Sequence, residues 1–157
     1  MVARFKKIEG SSLAGSMFKS VRDAISFTVS NTIKIRGISL HRSHHLGRGT
    51  STFRGYINLI DDSTGYRLYG QVFEISTDDQ PSYVEQLFTS PQQVEKDKKY
   101  SIVLEYALEQ EDLIWKSVDA VNPAVAACGG KDVTFNFFNS AYGTRVEGQI
   151  PRILFSC

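Results

Sequence analysis

Between Tyr100 and Leu108 every second residue is large and apolar: Tyr100, Ile102, Leu104, Tyr106 and Leu108. Ser101, Glu105 and Ala107 mostly occupy the alternate positions. A period of two puts the apolar set on one face of a β-strand, and no helix reproduces it. The same alternation recurs along the chain. Ala24–Val29 carries it, and Ser30-Asn31 marks a tight turn into Thr32–Ile35. The apolar phase there runs Ile33, Ile35, then Ile38 and Leu40. One residue too many separates Ile35 from Ile38, which predicts a β-bulge at Arg36-Gly37, with Gly37 accommodating the irregular backbone.

Further strands are predicted at Phe53–Ile60 and Tyr66–Ile75, joined by the turn formers Asp61-Asp62-Ser63-Thr64-Gly65. Tyr83–Phe88 reads as a short strand that stops at Ser90-Pro91. Leu113–Val118, Val133–Phe138 and Ile150–Phe155 complete the set. Gln92–Lys99 is too short and polar for a helix, and Pro123 limits Ser117–Cys128 to one or two turns. Many short strands with turn signals between them predict an all-β antiparallel sandwich. Its expected core is Phe5, Ile25, Phe27, Ile33, Ile35, Ile38, Ile57, Leu59, Ile102, Leu104, Phe135, Phe137, Ile150 and Leu154.

At 157 residues the chain is long enough to bury such a core, and it carries no repeat, low-complexity tract or linker. A single domain over residues 4–156 is therefore expected. The net charge of +1 gives no global field toward nucleic acid or an anionic membrane. No run approaches the roughly 18 apolar residues that span a bilayer. Met1–Glu9 lacks the apolar core of a signal peptide. Cys128 and Cys157 are too few for a disulfide framework, and no Asn-x-Ser/Thr sequon occurs. These features predict a cytoplasmic, reducing setting, and a chain that ends with its last strand reads as a domain of a longer protein.

Chemistry-bearing clusters are sparse. His41, His44 and His45 share one short segment without Asp, Glu or Cys, whereas structural zinc draws ligands from separated elements. A solvated basic loop is the simpler reading, and no metal is expected. That segment, with Arg36, Arg48 and Arg54, forms a basic feature opposite the acidic run Glu105, Glu109, Glu111 and Asp112. It reads either as a docking patch for an acidic partner segment or as charge that keeps loops soluble. Cys128 has no nearby His to lower its pKa and is expected to be a small buried thiol; Cys157 is a poorer nucleophile still. No nucleophile elbow, phosphate loop or zinc helix motif occurs, and Asp61-Asp62 and Asp78-Asp79 read as turn residues. Trp115, Phe138 and Tyr142 are candidate aromatic anchors, although most aromatics in a sandwich are core.

The C-terminal block is the most specific part of the sequence. Val133-Thr134-Phe135-Asn136-Phe137-Phe138 is followed by Gly143-Thr144 and then Gly148-Gln149-Ile150-Pro151 before a last apolar strand. Pro151 stands at that strand's start, where no ladder donor is needed. In order and spacing this block resembles the end of a PHR domain, the β-sandwich shared by giant Pam/Highwire-type ubiquitin ligases and BTB-domain adaptor proteins. Arg4-Phe5, Asp23–Val29 and Ile35-x-Gly37-x-x-Leu40 resemble its earlier motifs, and Phe88, Pro91, Val94 and Tyr100 follow it loosely. The chain departs from the family pattern at Ser11–Ser20, at His41-Arg42, at Ser117–Lys131 and in the short loop Asn139–Tyr142.

The resemblance implies a jelly-roll-like sandwich without catalysis or cofactor, monomeric as an isolated domain and docking a protein partner. Its parent would be a RING-type ligase or a BTB adaptor for a cullin ligase. A jelly-roll glycan-binding domain is the alternative. The candidate contact residues are Arg42, His44, His45 and Arg48 on one loop and Asn139, Tyr142, Thr144 and Arg145 on the other. Gly37, Phe135, Phe137, Gly148, Gln149, Ile150 and Pro151 are read as structural.

Overall fold

The structure is a computed structural model, and it describes residues 1–3, 12–15, 20–41, 43–45, 52–76, 83–107, 112–116, 121–142, 150 and 152–157. Its elements are β1 (Val2–Ala3), β2 (Ser12–Gly15), β3 (Ser20–Val29), β4 (Ile33–His41), β5 (Ser43–His45), β6 (Thr52–Asp61), β7 (Arg67–Ser76), β8 (Tyr83–Val94), β9 (Tyr100–Ala107), β10 (Asp112–Lys116), β11 (Ala124–Cys128), β12 (Lys131–Phe138) and β13 (Arg152–Ser156). A six-stranded sheet, β11-β12-β3-β9-β6-β7, packs on a four-stranded sheet, β1-β13-β4-β8. Every pairing is antiparallel, and the sandwich does not close into a barrel. The chain passes from one sheet to the other at β3–β4, β7–β8, β8–β9 and β12–β13, which is jelly-roll-like connectivity. A small third sheet, β2-β10-β5, follows the C-terminal end of β4.

The predicted bulge is present. Gly37 pairs with Leu87 and Leu154, whereas Ile35 pairs with Gln92 and Phe155, so Arg36 is the extra residue against β13, while against β8 it stands opposite a longer unpaired stretch. Residues 88–91 of β8 have no partner in β4, and Pro91 sits in this stretch, where no ladder hydrogen bond is lost. That position is why β8 continues to Val94 instead of stopping before Ser90-Pro91. The bulge restores the phase, and Ile33, Ile35, Ile38 and Leu40 are all buried.

Ala124–Cys128 is a strand and not helical turns. Ala124, Ala126 and Cys128 face the core while Val125 and Ala127 face solvent. The two-residue turn Gly129-Gly130, both at positive φ, returns the chain into β12 with Cys128 opposite Lys131. Of the expected core, Phe5 lies outside the described residues and the others are buried. Leu154 is buried outside the continuous cluster, which Ile153 joins and Phe155 packs against.

Cys128 and Cys157 are joined by a disulfide, with Cα atoms 5.9 Å apart. This corrects the sequence expectation of a free buried thiol: two cysteines are a poor framework signal, but β11 and β13 bring these two ends together. Amide side chains act as further seams. Gln71 donates Nε2–H to Leu87 O at 2.9 Å and accepts Thr89 N–H on Oε1 at 3.1 Å, bridging the edge strands β7 and β8. Asn122 does the same for both backbone groups of Phe137, at 2.8 and 2.9 Å. Such contacts satisfy strand edges that would otherwise invite pairing with another chain.

Two stability predictions follow from these contacts. A Cβ on Gly37 would stand 2.9 Å from the Leu87 Cα, against backbone that cannot swing aside. Gly37→Ala is therefore expected to lower the unfolding free energy by about 1–3 kcal/mol in urea titration. Reducing the disulfide, whose cysteines are 29 residues apart, should cost about 3 kcal/mol in the same assay.

A candidate docking surface at one end of the large sheet

Three turns meet at the end of the sandwich where β6 finishes and β9 begins. In the first, Asp61 accepts Ser63 N–H (2.9 Å) and the Ser63 hydroxyl (2.6 Å) on Oδ1, while Gly65 N–H closes the turn on Asp61 O at 2.7 Å. The second turn, before Tyr100, supplies Lys98, whose ammonium lies 2.8 Å from Asp61 Oδ2. Asp62 N–H then donates to Lys99 O at 3.1 Å and ties the two turns together. The Lys98 hydrogen bond, and after it the Ser63 hydroxyl, hold the buried Asp61 carboxyl at about 2, against the opposing effect of burial.

The third turn, Asn139–Tyr142, is held by a chain of serines. Ser26 of β3 donates its hydroxyl to Asp62 Oδ2 at 2.7 Å and shares a 2.7 Å hydrogen bond with Ser101 of β9. Ser101 in turn is 2.9 Å from the hydroxyl of Ser140, which accepts Tyr142 N–H at 3.2 Å. All three serines are buried, although Ser26 and Ser101 stand on the outward face of the sheet. Buried hydroxyls this well paired are costly to disturb, since breaking one leaves its partners unsatisfied. The turn is thereby fixed to the sheet.

Around this anchor the side chains face outward. The Lys99 ammonium sits 4.3 Å from the centre of the Phe138 ring, which is 38% exposed. Such a contact stabilises by roughly 0.5–1 kcal/mol at an exposed site and holds the ring in place. Asn139 is exposed, and Tyr142 is half-buried with its hydroxyl beside Gly65. Tyr66, at the start of the adjoining strand, is 72% exposed. The result is a surface of three aromatic rings, an amide and a cation.

Asn139 and Tyr142 are thus placed together. His44 and His45 are not with them: they pair with Leu113 and Asp112 in the small sheet, past the C-terminal end of β4 and so at the other end of the sandwich. Arg42, Arg48, Thr144, Arg145, Gly148, Gln149 and Pro151 lie outside the described residues, as do Glu109 and Glu111. The expected segregation of charge does not hold for the described members. Arg54 pairs with Glu74 at 3.1 Å and Glu105 with Arg22 at 2.8 Å, while Arg36 is on the other sheet. These two ion pairs flank Tyr56 and Val72, an exposed cross-strand pair on the outer face of the large sheet. Sequence reasoning missed Ser26, Ser101 and Ser140, because outward serines on a strand carry no mark of burial.

The family model of the PHR domain matches residues 3–156. The chain belongs to the PHR domain family. No curated protein is similar enough to count as a match. A PHR domain is a protein-interaction module of ubiquitin-ligase-related proteins and is generally non-catalytic. The chemistry of this end accords with that class: it offers aromatic, amide and cationic contacts on a fixed backbone.

The acid side of the stability profile tests the anchor. Asp61 has its carboxyl depressed in the fold, so the stability it adds is complete above the unfolded value of about 4 and is lost as pH falls toward 2. Asp61→Asn should be less stable than the parent at neutral pH, with the gap closing across that window in urea titrations.

Proposed function

We propose that this PHR domain selects partners for ubiquitylation, as part of a large RING-type ligase or of a BTB adaptor for a cullin ligase. Its protein partner docks on Phe138, Asn139 and Tyr142, with Lys99 and Tyr66 alongside. The observation that carries this reading is the serine chain that pins Ser140 to Ser101 and Ser26. A surface already ordered before binding loses little conformational entropy when a partner arrives. Aromatic rings held by their neighbours are also the usual anchors of interfaces.

Arg42, His44, His45 and Arg48, together with Thr144 and Arg145, are proposed to widen the contact or to form a second one. The module works in the cytoplasm as a monomer, reads protein, and binds neither nucleic acid nor membrane.

The test is affinity purification from cells with quantitative mass spectrometry, comparing the parent with a Phe138→Ala/Tyr142→Ala double variant. The parent is expected to enrich a protein whose ubiquitylation depends on it, and the double variant to lose about tenfold or more of that enrichment. Charge reversal at Arg42 and Arg48 should also weaken capture with unfolding midpoints unchanged. Equal capture by the double variant would remove the surface from the assignment.

A further inference from the structure

The disulfide stands at the rim between the two sheets. Cys128 is the last residue of β11, the edge strand of the large sheet, and Cys157 follows β13 of the small one. Cys157 is exposed, whereas Cys128 is half-buried and packs against the core. Beside Cys128, Gly129 and Gly130 border open space: a Cβ on either would meet nothing within 4 Å. A small thiol therefore has a path to the bond. Neither strand depends on it for its place, because β11 pairs with β12 along its whole length and β13 pairs with β4.

The covalent ring that the bond closes runs from Cys128 to Cys157, and within it lie β12, Phe138, Asn139 and Tyr142. The docking surface thus sits on a segment tethered at one end by the serine chain and closed on itself by the disulfide. We infer that Cys128–Cys157 is a reversible redox site, with a glutathione-type thiol as its exchange partner. The inference rests on the cytoplasmic docking reading, since disulfides in a reducing compartment are as a rule transient and regulatory.

The exchange balances with two thiols. One glutathione thiolate attacks the sulfur of Cys157, the more exposed of the two residues, forming a mixed disulfide there and releasing the Cys128 thiolate, which takes a proton. A second glutathione thiolate attacks the glutathione sulfur of that adduct, freeing Cys157 as a thiol and leaving glutathione disulfide. Two electrons pass from two glutathione thiols to the protein disulfide, and excess glutathione disulfide drives the reverse. The exposed cysteine receives the adduct, and the half-buried one resolves it.

The experiment equilibrates the purified chain, without any partner, in buffers of varied reduced and oxidised glutathione. It traps thiols with a maleimide, reads intact mass, and follows amide hydrogen exchange. The expected result is interconversion between no trapped cysteine and two in millimolar glutathione, with the Ile102 and Leu104 amides still protected. Cys128→Ser should accumulate the glutathione adduct on Cys157, and Cys157→Ser should form its adduct several-fold more slowly.

A bond that yields only after denaturation would overturn the inference in favour of a fixed staple. Faster adduct formation at Cys128 would overturn it as well. Because no partner enters this measurement, a failure of the docking reading shows itself separately, in the capture experiment.

Discussion

Phe135 is the contact on which the sandwich turns. Its ring lies 6.0 Å from Phe27 and 6.1 Å from Phe137 within the large sheet, and 5.1 Å from Phe155 of the small one. Phe27 extends the array to Tyr100, at 6.1 Å. Aromatic rings bury more area per residue than any other side chain, so this cluster fixes the spacing of the sheets. The bulge at Arg36-Gly37 serves the same end. Without it, Ile38 and Leu40 would rotate out of the layer that Phe135 fills.

The proposed docking surface depends on that core indirectly. β12 carries Phe135 and Phe137 inward and, one residue later, Phe138 outward, so the packing of the first two aims the third. Beyond Phe138 the backbone leaves the ladder, and hydroxyls take over from strand pairing: Ser140 reaches Ser101, and Ser101 reaches Ser26. Polar groups buried in this way give the turn a single arrangement, which a purely apolar contact would not. The disulfide then closes the same segment covalently, from Cys128 to Cys157.

Period-two reading succeeded where one face of a strand is buried and the other wet. β6, β7 and β12 follow it, and the bulge was legible because an extra residue leaves a visible slip in phase; β3, β9 and the end of β4 keep the alternation in sequence although both of their faces are buried. It failed where that rule does not govern. Ala124–Cys128 has small side chains and weak contrast, so its strand character came from the Gly129-Gly130 hairpin and from pairing with β12. Ile153, which the expected core omitted, joins the continuous cluster, while Leu154 is buried outside it.

The candidate site divides along the same line. Asn139 and Tyr142 were named from a loop where the chain departs from the family pattern, whereas the Asp61–Gly65 turn was legible from its residues. The separation of His44 and His45 from them was not, since it depends on which ends of β4 and β9 coincide. The sequence by itself determined the all-β character, most of the core and family membership, because alternation and motif order are local properties of the chain. Only the tertiary structure decided the Ser26–Ser101–Ser140 chain, the neutralisation of Arg54 and Glu105, and the union of Cys128 with Cys157. Each of these joins residues distant in sequence, and their proximity is set by sheet order and register, which no single stretch of sequence encodes.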